Sequence, residues 1–100
     1  MAEAFLQPEP WRGHFYKEFE VSPNGYWIDL DITPTEGINL KSGLRRSVMQ
    51  DAKAKTWAAE LAIPMSALTG KFDARAEWRV NFYRVEGPAE PRAYLAWRPT

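Results

Sequence analysis

Four carboxylates flank one Asn-Gly turn, Glu18 and Glu20 before it and Asp29 and Asp31 after it. Carboxylates paired across a hairpin can hydrolyse a glycosidic bond at the right separation, or gather oxygens around calcium. Acidic residues on the wet side of a hairpin are far more often simply solvated. His14 is the sole histidine and cysteine is absent. A zinc site, a serine triad or a thiol nucleophile therefore has little to stand on. His14 reads as an exposed strand-edge residue, and the chain reads as one without catalytic machinery.

Aromatic side chains are the richer resource: five Trp, four Tyr and five Phe in 100 residues. That exceeds what so small a core needs, and surplus rings are the usual means of gripping flat, half-apolar ligands such as sugars. Trp97 is the most tempting platform, because an exposed indole can stack on the C–H face of a pyranose. Its bland alternative, packing of the last strand, weighs more, since aromatics in alternating strands usually supply core area. Trp27 shares a mixed face with Asp29 and Asp31 that suits sugar contact or plain solvation. Trp57 and Trp78 read as core, and Trp11 as a loop residue. Asn81, Arg84, Glu86 and Arg92 cluster at the end of a long strand and in the loop after it. Guanidinium groups there suit bidentate contact with vicinal hydroxyls. An ion pair of Arg84 with Glu86 or Glu90, worth about 0–1 kcal/mol, weighs equally.

The elements that must position these groups are strands. Tyr26-Trp27-Ile28-Asp29-Leu30-Asp31-Ile32 and Trp78-Arg79-Val80-Asn81-Phe82-Tyr83-Arg84 alternate with period two, the pattern of a sheet with one buried face. Strands are expected over Ala2–Leu6, His14–Ser22, Tyr26–Thr33, Gly43–Gln50, Lys55–Ile63, Ala76–Glu86 and Ala93–Trp97. Gln7-Pro8-Glu9-Pro10 breaks the first strand. Ser22-Pro23-Asn24-Gly25 forms a tight turn and so marks a hairpin. Pro34–Ser42 reads as a polar loop. Pro64-Met65-Ser66-Ala67-Leu68 suits a single helical turn. The inward set is Phe15, Phe19, Val21, Ile28, Leu30, Ile32, Trp57, Leu61, Ile63, Trp78, Val80 and Phe82. The architecture predicted is all-β, an antiparallel β-sandwich, jelly-roll-like and incomplete, with at most one short helical turn.

Composition narrows the partners. Thirteen basic residues balance thirteen acidic ones, which argues against nucleic acid or an anionic membrane as partner. No apolar run approaches a membrane span, and Met-Ala-Glu-Ala-Phe-Leu is no signal peptide. Each buried core side chain contributes about 1.5–3 kcal/mol, against about 1–2 kcal/mol of entropy per ordered residue. A chain this short is expected to be marginally stable, or to associate with itself or a missing companion segment along an open sheet edge.

Several strings, read together, resemble the family 9 carbohydrate-binding modules and their bacterial relatives. They are Glu3-Ala4-Phe5-Leu6, Phe19-Glu20-Val21-Ser22-Pro23-Asn24-Gly25, Trp57-Ala58-Ala59-Glu60-Leu61-Ala62-Ile63-Pro64, Trp78 to Arg84, and Ala96-Trp97-Arg98-Pro99-Thr100. The resemblance runs over nearly the whole chain in the family order. It implies a two-sheet sandwich and a non-catalytic module of the kind attached to xylanases and other secreted glycoside hydrolases. It also implies an oligo- or polysaccharide partner, a secreted or periplasmic location, and no cofactor beyond room for structural calcium. Glu3, Glu20 and Arg92 lie near positions where the family places polar ligand contacts. Family domains are nearly twice as long, so residues 1–100 look like a C-terminal portion truncated at both ends, with the family's clamp aromatics falling outside it. The candidate sugar-binding set is thus Trp97, Arg92, Arg84, Asn81, Glu3, Glu20 and Trp27. One alternative is a b-type haem domain of a related sandwich superfamily, with Met49, Met65 or His14 as ligands, although methionine usually fills core gaps. The other is a structural or interaction domain without a sugar site.

Overall fold

The computed structural model describes residues 1–11, 15–32, 41–86 and 93–98, and the backbone of 37–38. Antiparallel strands dominate: β1 (Ala2–Gln7), β2 (Tyr16–Val21), β3 (Trp27–Ile32), β4 (Gly37–Ile38), β5 (Arg45–Asp51), β6 (Thr56–Ala62), β7 (Arg79–Glu86) and β8 (Ala93–Ala96). One helical turn, α1 (Met65–Leu68), follows Pro64 where the sequence placed it. The fold is all-β, as expected. β4 is an addition, since residues 34–42 read as loop. His14, Glu90 and Arg92 lie outside the described residues. No helix among the described residues is long and apolar enough to cross a membrane.

Six strands form one sheet in the order β4-β3-β2-β1-β7-β8, and β5 and β6 form a separate hairpin. Residues directly opposite one another in antiparallel strands project from the same face. Ala4 pairs with Phe19 and Phe82, Phe19 with Asp29, and Val21 with Trp27. These residues define the first face. Glu3 pairs with Glu20 and Tyr83, Phe5 with Glu18 and Asn81, Glu18 with Leu30, and Glu20 with Ile28. These define the second.

This register corrects the expected core. Phe19, Val21, Val80 and Phe82 stand on the first face, but Ile28, Leu30 and Ile32 stand on the second. The cause is one residue in the turn. Ser22 O accepts from Gly25 N at 2.9 Å, and Ser22 N donates to Tyr26 O at 2.8 Å. Gly25 takes φ +87°. The loop therefore holds three residues, a turn followed by a left-handed glycine that adds a bulge. A two-residue turn would set Phe19 opposite Ile28. The extra residue sets it opposite Asp29, and a one-residue slip moves every side chain of a strand to the other face.

Burial is concentrated on the first face. Ala4, Phe19 and Val21 are buried, as is Leu44 before β5. Asp29, expected to face water, is only 1% exposed. Its carboxylate accepts a hydrogen bond from the buried Ser42 hydroxyl, which itself accepts from Leu44 N at 3.2 Å. The β5–β6 hairpin is fastened above this region. The Arg46 guanidinium lies 4.4 Å from the centre of the Trp27 ring, Arg46 Nε donates to Gly25 O at 3.3 Å, and Gln50 Nε2 donates to Pro23 O at 2.8 Å. Pairing of Val48 with Ala59, Arg46 with Leu61 and Gln50 with Trp57 puts all of these on the hairpin's inner side. Val48, Trp57, Ala59 and Leu61 are half-buried there, as the alternation of Trp57, Ala59, Leu61 and Ile63 predicts, while the intervening residues are exposed.

Coverage stops short of β7 and β8. Val80 and Phe82 are 40% and 49% exposed, not core. Trp78 is half-buried and precedes β7. A six-stranded sheet faced by a two-stranded one leaves this part of the first face bare.

Two substitutions test this account. Phe19→Ala should cost about 3–5 kcal/mol in urea unfolding, whereas Phe72→Ala, at an exposed loop position, should cost a small fraction of that. Equal costs would contradict the position of the core. Gly25→Ala meets no atom within 4 Å, so its cost should be the left-handed backbone alone, about 1–2 kcal/mol; no loss would mean that the loop does not hold this register.

Candidate functional site

The second face carries the chemistry. Glu3 and Tyr83, Phe5 and Asn81, and Gln7 and Arg79 are opposite pairs between β1 and β7, and Tyr16 stands opposite Ile32 in β3. Phe5, Gln7, Tyr16, Arg79, Asn81 and Tyr83 border an open groove of about 620 Å³. Its floor is aromatic. The Phe5 ring meets Tyr83 edge-on at 4.7 Å between centroids and Tyr16 at a tilt at 5.9 Å. Such edge-on and tilted ring pairs hold one another's orientation, so the groove offers an apolar, faceted aromatic surface. Its rim is polar: Gln7, which reaches the Phe15 carbonyl at 3.5 Å, the exposed Arg79, and the Tyr83 hydroxyl. A second groove of about 340 Å³ lies between α1 and the sheet end, and it shares Tyr16 with the first. Its described lining residues include no arginine or asparagine.

Asn81 is largely occupied. Its Nδ2 donates to Arg98 O at 2.9 Å and to the Tyr83 hydroxyl at 3.2 Å, and its Oδ1 accepts from Arg98 N at 3.1 Å. It pins the chain after β8 and steadies Tyr83, so its role beside the groove is positioning.

Glu3 and Glu20 stand opposite one another next to Tyr83. Burial raises both carboxyl groups above their usual range, and Glu3 is pushed up to about 7. The hydrogen bond between them and the charge of Glu20 raise Glu3 further, while the same bond lowers Glu20 and Glu18 raises it. The pair therefore holds a proton to higher pH than a lone glutamate would, because two adjacent half-buried carboxylates cannot both ionise freely.

The remaining candidates are elsewhere. Trp27, Arg84 and Trp97 belong to the first face, and Arg92 lies outside the described residues. Arg84 pairs with Glu86 at 2.8 Å, both about half exposed; that is the surface ion pair the sequence offered as its alternative role. Trp97 is 59% exposed, with its ring 5.8 Å from that of Phe82 and the Arg98 guanidinium 5.3 Å from its centre. Trp27 is half-buried beneath Arg46. Trp97 therefore packs on the edge strand, on the side of the sheet away from the groove. The four hairpin carboxylates also separate. Glu18 and Glu20 are on the second face, whereas Asp29 and Asp31 are on the first, with Asp31 bound to Lys17 at 2.8 Å. Phe5, Tyr16, Tyr83 and Arg79 were not singled out in the sequence; alternation in Arg79-Val80-Asn81-Phe82-Tyr83 would have grouped them had the hairpin parity been known.

Neither implied group finds a ready cage. Asp29 Oδ1 is buried without a hydrogen-bond partner among the described residues, which is one oxygen a cation could use. Among those residues no three acidic or histidine side chains converge, so they do not fit calcium, which takes six or more oxygens. Met49 and Met65 are 73% and 43% exposed, and Met49 lies on the outer side of the hairpin, away from any space between sheets. Comparison with family models, with curated proteins and with solved structures found no match.

The carboxyl pair has a measurable signature. Glu3 binds its proton more tightly in the folded chain than at its ordinary value of 4.5. The folded state thus takes up protons as pH falls from about 7 to about 4.5, and stability rises in that direction. Asp29, raised by burial against the opposing pull of Ser42 and Arg46, has the same sign. Urea midpoints should be higher near pH 5 than at pH 7, and Glu3→Gln should flatten that slope by raising the value at pH 7. An unchanged slope in Glu3→Gln would remove the shared proton.

Proposed function

We propose that this chain is a non-catalytic carbohydrate-binding module of an exported protein that acts on or senses polysaccharide, with its sugar site in the groove on the second face. The observation that carries this reading is the ring set Phe5, Tyr16 and Tyr83 bordered by Gln7, Arg79 and the Tyr83 hydroxyl. A pyranose ring presents an apolar C–H face and an equatorial rim of hydroxyls. Rings beneath and fixed donors around the edge match both. The Glu3–Glu20 pair lies on the same face, with Glu3 opposite Tyr83.

The same pair speaks against hydrolysis. Carboxyl groups that share a hydrogen bond are closer than the about 5 Å or more that a glycosidase leaves for the sugar or its water. Zero net charge accords with a neutral guest and gives no general attraction for polyanions. The resemblance to family 9 modules supports the same class of ligand, though Trp97, Arg84 and Trp27, candidates chosen from their residue types, do not reach this groove.

Titration with xylo- and cello-oligosaccharides by calorimetry tests the proposal. Tyr83→Ala or Tyr16→Ala should weaken binding at least roughly tenfold, about 1.4 kcal/mol, and Trp97→Ala should leave it unchanged. No heat at millimolar ligand, or loss of binding only in Trp97→Ala, would refute this site.

A further inference from the structure

The chain exposes 7604 Å², whereas a folded monomer of its mass is expected to expose about 5,800 Å². Its radius of gyration is 14.6 Å, against about 13 Å for a compact domain of 100 residues. The surplus, about 1,800 Å², is more than the about 800 Å² that each partner gives up in an interface of standard size.

Four of the eleven exposed large apolar side chains among the described residues lie at one place. Phe82, Leu95 and Trp97 are 49%, 46% and 59% exposed on the first face, and Tyr94 is 68% exposed on the second. They surround β8, which ends the large sheet and among the described residues is paired on one side only. The other end of the sheet is blunted by a strand of two residues, β4. The hairpin strands carry charges, Arg45, Arg46 and Asp51 in β5 and Glu60 in β6. β8 reads Ala-Tyr-Leu-Ala and has neither charge nor proline, so among the described residues it lacks the usual protection of an edge strand.

The ladder shows which groups are open. Trp97 N donates to Phe82 O at 2.8 Å. Alternation then turns the amides of Leu95 and Ala93 towards β7, and those of Tyr94 and Ala96 outward. We propose that β8 pairs antiparallel with β8 of a second copy about a two-fold axis at Leu95. Tyr94 of each chain exchanges both backbone hydrogen bonds with Ala96 of the other. Leu95 then faces its own counterpart, and Phe82 and Trp97 of both chains extend one apolar strip across the axis. An isologous contact suits this chain electrostatically. Its net charge is zero, and the ion pair Arg84–Glu86 beside β8 offers both signs to its symmetry mate. This contact is independent of the sugar groove, which lies on the other face over β1 and β7.

Sedimentation and light scattering over micromolar to submillimolar concentrations test it. The chain should run at twice 11.5 kDa and dissociate on dilution. Ala96→Pro removes one outward amide and spares the β7 ladder, and Trp97→Lys charges the strip. Each should shift dissociation by at least tenfold in concentration while far-ultraviolet dichroism stays that of the parent. Met49→Lys, on the outer side of the hairpin, should leave the dimer intact. A chain that stays monomeric, alone or bound instead to another protein, overturns the proposal. So does a dimer untouched by Ala96→Pro and Trp97→Lys, or a mass that grows beyond two chains.

Discussion

The positive φ of Gly25 decides which side of the sheet every residue of β3 occupies. With that glycine forming a bulge, the β2–β3 loop has an odd length, and Asp29 rather than Ile28 faces Phe19. Everything functional follows from this parity. Asp29 becomes the buried anchor for Ser42 and the segment that leads into β5. Glu18 and Glu20 separate from Asp29 and Asp31, so no four-carboxylate cluster exists. Ile28, Leu30 and Ile32 join the face that carries Phe5, Tyr16 and Tyr83, and supply its apolar continuation. A single left-handed residue therefore sorts the chain into a face that holds the fold together and a face that can receive a ligand.

The first face holds together by few contacts of unlike kinds. Ala4, Phe19 and Val21 supply buried area, but the second layer is attached through polar links: Ser42 to Asp29, Arg46 over Trp27, and Arg46 and Gln50 to the carbonyls of the turn. A buried carboxylate is costly unless its bonds are made. It is tolerated here because Ser42 meets one oxygen and the Arg46 charge offsets part of the desolvation. Polar links are directional where apolar contact is not. They fix where the hairpin sits, yet they add little area, which is why β7 and β8 remain uncovered.

Much of the fold was legible in the sequence, and the exceptions share a cause. Period-two alternation located every long strand, Pro64 located the helical turn, and Trp57, Ala59 and Leu61 were placed correctly because they alternate within one strand. Faces across strands were misread, since they depend on loop parity; the signal was Pro23, whose fixed negative φ bars a two-residue hairpin turn and favours a three-residue loop ending in left-handed Gly25. The candidate site suffered accordingly. Glu3, Glu20 and Asn81 were selected and do share a face, but Arg84 was grouped with Asn81 by proximity in sequence although odd and even residues of β7 point apart. The strongest apolar residue, tryptophan, drew attention away from tyrosine and phenylalanine, whose edge-to-face packing becomes visible only when β1, β2 and β7 are side by side.

The two faces also differ in what exposure means. On the second face the half-buried rings touch one another and are bordered by polar groups, so the surface is stable as it stands. On the first face beyond the hairpin, Phe82, Leu95 and Trp97 stand exposed, and the outward amides of Tyr94 and Ala96 lie beside them. Apolar area and unpaired ladder groups at one edge reinforce one another as a docking surface: the backbone gives direction, and the side chains give the free energy that backbone pairing alone, exchanged against water, supplies only weakly. A chain that spends its small core on positioning one hairpin has this edge left over. Its surplus surface is thus a consequence of the same sparse first face.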